Sequence, residues 1–498
     1  MAKWLTSVAV AALIAGAAQA QVLTKQYEDG GVYEGTFRDG VQHGEGTYTL
    51  PNGYTYTGEW ADGEIQGIGR AEFPDGSVYE GQFAAGQPEG EGKITFADGG
   101  TYEGAWVEGR IEGEGVADYA NGVRYTGTFV NALHDGQGVM EAPTGYRYEG
   151  GWVAGAKEGE GRITYPDGAT YEGEMAGGVR EGTGTLRMPD GLTYVGEWRG
   201  GQINGTGVLT QPNGDVYEGT LVDGRRDGTG KVTYATGDVY EGEFLDDRRH
   251  GTGTFTGQDG YEYVGQWVEG RIEGEGRVRY PDGSVYEGAF ADDLAHGVGK
   301  ITYTDGATYE GEWAEGVIQG TGRAEYPNGL VYEGEFLNAQ NHGVGTMTFT
   351  DGYRYEGEWA QGLRHGEGRA TYADGTVYEG RFQRGQRDGQ GKITMADGFT
   401  YEGGWTDGEI DGEGVATYAN GDRYEGSFSA GRRQGAGTMF YAAGQVEQGQ
   451  WDQGELVREG AVVTPAGAAP AEPDAPAEAE DAEGAEETGG GAETGSGN

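Results

Sequence analysis

From Tyr33 onward a tyrosine recurs every 23 residues, through Tyr56, Tyr79 and Tyr102 to Tyr424, eighteen times without an insertion or deletion. Glycine stands 2, 11, 13 and 20 places after each of them, so four columns hold 72 of the 105 glycines. A fixed period of this length calls for a repeat architecture, in which each unit buries its apolar face against its neighbours. One conventional core is excluded on the same grounds, because only 35% of the 498 residues are hydrophobic. Low hydrophobicity and a formal charge of −49 would by themselves favour disorder. The 33 Tyr, 14 Phe and 10 Trp oppose that, since disordered chains are poor in aromatic residues.

Each unit parses into two strands and two links. In "VYEGTFR", residues 32–38, Tyr33, Gly35 and Phe37 alternate with polar residues, and beyond Gly44 the residues Gly46, Tyr48 and Leu50 share one face. Fifteen of the eighteen copies carry Asp-Gly or Asn-Gly in the second link, as in "PNG" 51–53, which predicts a type I′ hairpin turn there. The first link, such as "RDGVQHG" 38–44, reads as longer and looser. Glycine normally weakens a strand. Here the alternation predicts that it is a socket across which an aromatic ring lies, because a buried ring contributes roughly 1.5 to 3 kcal/mol against about 0.5 to 1 kcal/mol for the glycine. The opposite face should be wet, with Glu one place after most tyrosines facing Arg or Lys fourteen places after the tyrosine, as at Arg70, Lys93 and Arg162.

Four places after the tyrosine comes a large apolar residue, and every Trp except Trp4 lies in this column. Trp alternates with a second residue, mostly Phe, giving a 46-residue super-period that slips by one repeat between Trp198 and Trp267. A one-layer sheet is expected to leave such rings partly exposed, so Trp60, Trp106, Trp152, Trp198, Trp267, Trp313, Trp359 and Trp405 are the candidate partner-binding residues. The competing reading makes them the shallow core alone.

The pattern Tyr-Glu-Gly-x-Trp/Phe followed by His-Gly-x-Gly, as in "YEGEWAQGLRHGEG" 355–368, resembles the MORN (membrane occupation and recognition nexus) repeat. The resemblance implies an all-β fold, an extended single-layer antiparallel β-meander of about 18 tandem hairpin repeats. It also implies a scaffolding role, self-association and contact with phospholipid headgroups. His fills the column ten after the tyrosine in only five copies, His43, His250, His296, His342 and His365, and mostly Glu, Asp or Gln replaces it. That makes this array more acidic than the family pattern and disfavours anionic lipid.

The array is expected over residues 31–457, after a lead-in at 21–30. Residues 1–20 read as a signal peptide, with Lys3 before an apolar run and Ala18-Gln19-Ala20 as a cleavage site, so export to the periplasm or medium of a bacterium is expected. Residues 458–498 read as a disordered acidic tail, with nine acids and no base after Pro465. Histidines repeated along a ladder do not converge on a metal, and cysteine is absent, so no metal, cofactor or catalytic site is expected. Calcium at the Asp-Gly turns is a minor alternative, because the period differs from calcium-binding β-rolls. The resulting expectation is a non-catalytic envelope scaffold that recognises a protein or peptide, or a second copy of itself as a homo-oligomer, through its aromatic and glycine-lined face. A membrane organiser that binds lipid headgroups is the alternative, an envelope hydrolase built on the array ranks last, and nucleic acid is excluded by charge.

Deleting one whole unit, residues 240–262, should preserve the β circular dichroism signal with lower stability, whereas deleting eleven residues from the same unit should abolish it. Equal tolerance of both deletions would show that the period is not structural.

Overall fold

The computed structural model describes residues 22–463 and contains 39 strands among them. It divides into two units, one up to Ala235 and one from Thr236. Within each unit consecutive strands pair antiparallel in chain order, with no crossover and no second layer among the described residues: a pure meander. The unit boundary falls where the Trp/Phe super-period slips.

The first unit opens with β1 (Leu23–Gln26), β2 (Val32–Arg38), β3 (Val41–Thr49) and β4 (Thr55–Ala61). The expected lead-in therefore contains a strand, β1, which pairs with β2. At the other end the strand Glu455–Val463 runs six residues past the expected end of the array at residue 457. Charge and composition had marked the boundary, but ladder pairing needs only backbone donors and acceptors, so the pairing continues through Glu459 to Val463. The signal-peptide and tail assignments concern residues 1–20 and 464–498, which lie outside the described residues.

The two links exchange roles relative to expectation. The tight link is the first: β2 and β3 are joined by Asp39 and Gly40 alone, with φ of 52° and 82°. Positive φ at both central residues is the type I′ turn, whose twist suits a two-residue hairpin. Fourteen of the eighteen copies place Gly at its second position. The four exceptions, Ala132, Asp247, Asp293 and Ala339, hold φ between 60° and 68°. In the Asn-Gly link, Gly53 N–H donates to the Leu50 carbonyl (3.1 Å), Pro51 and Asn52 occupy the turn, and only Gly53 has positive φ, at 97°. That is a three-residue loop, a type I turn closed by a glycine bulge. The Asn52 side chain accepts from Tyr54 N–H at 3.0 Å, which explains the Asx residue without a type I′ turn.

The four glycine columns have three different causes. The columns 2 and 13 after the tyrosine are the sockets: Gly104 and Gly115 face each other, and a Cβ on Gly104 would stand 2.6 Å from Gly115 Cα and 2.7 Å from the Tyr102 hydroxyl. The column 11 after the tyrosine, Gly44 in the first copy, sits in a β-bulge at positive φ, and the register shifts there between Gly35 and Phe37. The column 20 after it is the loop glycine just described.

Tyr33 lies over its glycine pair fully buried, and its hydroxyl donates to the carbonyl of Thr36 at 3.0 Å, a residue that the bulge leaves out of the ladder. All eighteen tyrosines make the equivalent bond, from Tyr56 to Glu59 (3.0 Å) through Tyr401 to Gly404 (3.0 Å). Ring, bulge and glycine pair are thus one motif. The opposite face carries the expected ion pairs, Lys93–Glu103 (3.4 Å), Arg277–Glu287 (3.1 Å) and Arg369–Glu379 (3.0 Å), all well exposed and worth a few tenths of a kcal/mol each.

Replacing Gly322, a socket, by Ala should cost on the order of 3 kcal/mol, because a ring must leave its seat. Gly316→Ala, at a turn where a Cβ would make only ordinary contact with Leu294 at 3.6 Å, should cost about 1 kcal/mol. Ala132→Gly and Ala339→Gly should each stabilise by about 0.5 to 1 kcal/mol, by relieving a left-handed residue that has a Cβ. Urea unfolding of the four variants measures the order, and an equal loss at Gly322 and Gly316 would refute the socket.

Candidate functional site: the ring face

The face that carries the tyrosines is built from one repeating contact. Tyr33 is packed edge-on between Phe37 of its own repeat (5.0 Å between centroids) and Trp60 of the next (5.1 Å). Tyr79 sits likewise between Phe83 and Trp106, and Tyr309 between Trp313 and Phe336. Edge-to-face pairs of this kind add roughly 0.5 to 1.5 kcal/mol each to simple area burial. Burial pushes the hydroxyls of Tyr33, Tyr79 and Tyr102 up to about 12, with nearby carboxylates adding to the effect.

The eight candidate tryptophans all lie on this face, but they are not partly exposed. Trp60, Trp106, Trp152, Trp198, Trp267, Trp313, Trp359 and Trp405 retain only 3 to 8% of their surface. Two features hide them. Each indole N–H donates to the carbonyl of the socket glycine of the preceding repeat, as Trp60 to Gly46 (3.3 Å) and Trp313 to Gly299 (3.2 Å), so the polar edge is satisfied inside the array. A side chain nine places after the preceding tyrosine then covers the ring: the guanidinium of Arg180 lies 4.1 Å from the Trp198 ring, that of Arg249 4.0 Å from Trp267, and that of Arg433 4.4 Å from Trp451. Arg249 also donates to the Gly270 carbonyl at 2.8 Å.

This covering column was overlooked in the sequence, although it has a signal. It contains six Arg, Lys157, His134, six Ile and four small or neutral residues, and no acid, in a chain where acids outnumber bases 83 to 34. An acid there would face the negative side of an aromatic ring. His134 occupies it before Trp152, stacked on Tyr125 at 3.7 Å and bonded through Nε2 to the Tyr119 hydroxyl at 2.7 Å. Burial holds its imidazole below the ordinary range.

Of the other five histidines, His43 shares a structural duty with the acids of its column, whereas the Nδ1 of His250 is buried with no hydrogen-bond partner. The side chain ten after the tyrosine accepts the first turn amide of the following repeat, from Glu108 to Glu89 (2.8 Å), from Ala154 to Asp135 (3.1 Å) and from Asp62 to His43 (3.5 Å). Any side chain with an acceptor serves, which is why His, Glu, Asp, Asn and Gln interchange. Among the described residues no group of three His, Cys, Asp or Glu is placed to hold a metal ion.

The exposed rings lie elsewhere, seventeen places after the tyrosine, on the residue that opens the three-residue loop. Twelve of the eighteen copies are aromatic there, as in "FPDG" 73–76 and "YPDG" 280–283. Phe96 and Tyr119 expose 39% and 40% of their surface, and Tyr280, Tyr303 and Tyr326 are half-buried. Rings at the far side of the loop extend the row, with Tyr54 against Phe73 at 5.8 Å and Tyr353 against Tyr372 at 5.1 Å. Eleven of the eighteen repeats therefore offer a half-buried or exposed ring at the loop mouth, Tyr418 being buried, and twelve repeats carry Arg or Ile in the covering column. A family model for the MORN repeat matches eighteen consecutive segments between residues 33 and 446. The chain belongs to the MORN-repeat family.

No curated protein matches it. Among solved structures, the TCP10 domain of CPAP from Danio rerio, in complex with a peptide of STIL, is 17% identical with a TM-score of 0.17, over 55% of this chain and 100% of that one. The SAS-4 TCP domain of Drosophila melanogaster, in complex with a proline-rich motif of Ana2, is 18% identical with a TM-score of 0.18, over 43% and 96%. A streptogramin B lyase is 12% identical with a TM-score of 0.11, over 58% and 90%. Likeness at this level carries no functional argument.

The tyrosine spine makes the MORN array sensitive to alkali. The buried hydroxyls ionise later folded than unfolded, so their contribution is fully present below pH 10 and is lost as pH rises from about 10 toward 12 and beyond. Loss of β signal should be steep across that window, and shallower in a variant with Tyr286, Tyr309 and Tyr332 replaced by Phe, which cannot ionise. Identical alkaline profiles would show that the tyrosines do not control it.

Proposed function

We propose that this MORN-repeat chain is an exported, non-catalytic scaffold that binds an extended segment of a protein partner along its ring face. The observation that carries the proposal is the row of rings seventeen places after the tyrosine in twelve of the eighteen repeats, eleven of them half-buried or exposed, running beside a column rich in Arg and Ile from which acids are missing. Aromatic and arginine side chains are the groups enriched at protein interfaces, and rigid rings lose little entropy when a partner covers them. Repetition sets the type of partner: successive rings stand two strands apart, roughly 9.6 Å, which suits an extended chain contacting one ring every three residues or so. The tryptophans serve this face as its foundation, with their polar edges already bonded within the array.

Peptides selected from a random library on the immobilised chain supply the test, with affinities measured by calorimetry. Replacing Tyr280, Tyr303 and Tyr326 together by Ala should weaken the selected peptides at least tenfold, with little loss of fold. Trp313→Leu should instead lower stability. Unchanged peptide affinity in the triple variant would overturn the ring-face reading.

A further inference from the structure

The ring face of the last repeats carries a row of arginines, and the end of the chain is rich in acids. Along the last four complete repeats the ring face presents Arg364, Arg387 and Arg433. Arg433 and Arg364 are half-buried and Arg387 lies deeper at 8% exposure. The guanidiniums of Arg387 and Arg433 stack at 4.5 and 4.4 Å on the rings of Trp405 and Trp451, and that of Arg433 also donates to the Gly454 carbonyl at 2.6 Å. No carboxylate is bonded to either guanidinium among the described residues. The acids on this part of the face are committed elsewhere: Asp422 is buried and accepts from Ala442 N–H at 2.8 Å, and Glu447 accepts from the Tyr441 hydroxyl at 2.6 Å. Asp411, at the rim, accepts from Ala430 N–H and the Ser429 hydroxyl. The opposite face is a ladder of Glu with Lys or Arg, so a segment rich in acid has one face to approach.

The sequence carries such a segment directly after the last strand. Residues 464–498 contain Glu472, Asp474, Glu478, Glu480, Asp481, Glu483, Glu486, Glu487 and Glu493, no base, and Pro465, Pro470, Pro473 and Pro476, which favour an extended conformation. We infer that this C-terminal segment is an intramolecular occupant of the ring face of the last repeats, its carboxylates reaching the Arg364, Arg387 and Arg433 row and its prolines and alanines lying against the half-buried ring of Tyr372.

Reach permits it. From the strand Glu455–Val463 to the strand Leu363–Thr371, which carries Arg364, the ladder steps eight strands, about 38 Å, whereas 35 extended residues span up to about 115 Å. Tethering favours it too, because a flexible linker of this length holds its end at an effective concentration on the order of millimolar, enough to populate even a weak contact. An external partner must displace the tail, so the tail is a competitor that raises the threshold for binding. The inference rests on the ring face being a binding surface.

The chain contains no Cys, so Ala485→Cys in the tail and Ala373→Cys in an exposed turn of the array take a donor and an acceptor dye without background. Energy transfer should be high in low salt and fall with added salt. It should also fall when the nine tail acids become amides, a change that leaves the array untouched, and when Arg364 and Arg433 become Gln. Peptides selected on the ring face should bind the tail-neutralised chain at least tenfold more tightly than the parent. Transfer that is the same in the parent and the tail-neutralised chain overturns the inference, as does peptide affinity that ignores the tail. A ring face that still captures peptides in a Tyr280-, Tyr303- and Tyr326-dependent manner would then keep the proposed function while removing the tail from it. Loss of both results removes both.

Discussion

A tyrosine ring laid across two glycines holds this molecule together. Tyr102 covers the pair Gly104 and Gly115, and either glycine with a Cβ would collide with the ring or with the opposite backbone. Once the ring lies flat, its hydroxyl reaches the carbonyl three residues on, which is available because the strand is bulged there. The bulge needs a glycine at positive φ, and the flat ring needs edge-on neighbours, supplied by the Phe and Trp column of its own and the next repeat. A single sheet can therefore build a core without a second layer. Its core is one ring thick, so no repeat holds it alone.

Much of this was legible from the spacing. The period, the hairpin content, the polar outer face and the sockets at 2 and 13 follow from which residue types recur where. Three particulars did not. Asn-Gly at 52–53 fits both a type I′ turn and a type I turn with a glycine bulge, and only the Asn52 side-chain bond to Tyr54 N–H separates them. The true type I′ turns hold Ala-Gly or Glu-Gly as readily as Asp-Gly, as at residues 85–86 and 108–109, so their signature is positional rather than chemical. The exposure of the tryptophans depended on what covers them, and before the tryptophans the covering column varies among Arg, His, Gln, Asn, Ala and Pro, so it shows no single residue type to notice.

The same variation divides the labour on the ring face. Columns that must meet a backbone demand, such as the glycines at 11, admit one residue. The column ten after the tyrosine needs only an acceptor and so admits five residue types. The covering column needs length or bulk without negative charge, and the column at 17 needs little beyond fitting the loop mouth. Tolerance thus rises from the glycine pair outward, and the surface available to a partner is the part of the repeat that the fold constrains least.

The turn amide of one repeat is tied to a side chain of the repeat before it, and each indole to a glycine carbonyl of the repeat before it. All these ties join nearest neighbours, and ladder hydrogen bonds lie across the strands rather than along them. Drawn apart by its two ends, such a chain would peel strand from strand, one rung at a time. Each step would release the same length against the same small resistance. The mechanical character of this array is therefore that of a yielding tether, which absorbs work over a long travel and reforms rung by rung when the load is removed.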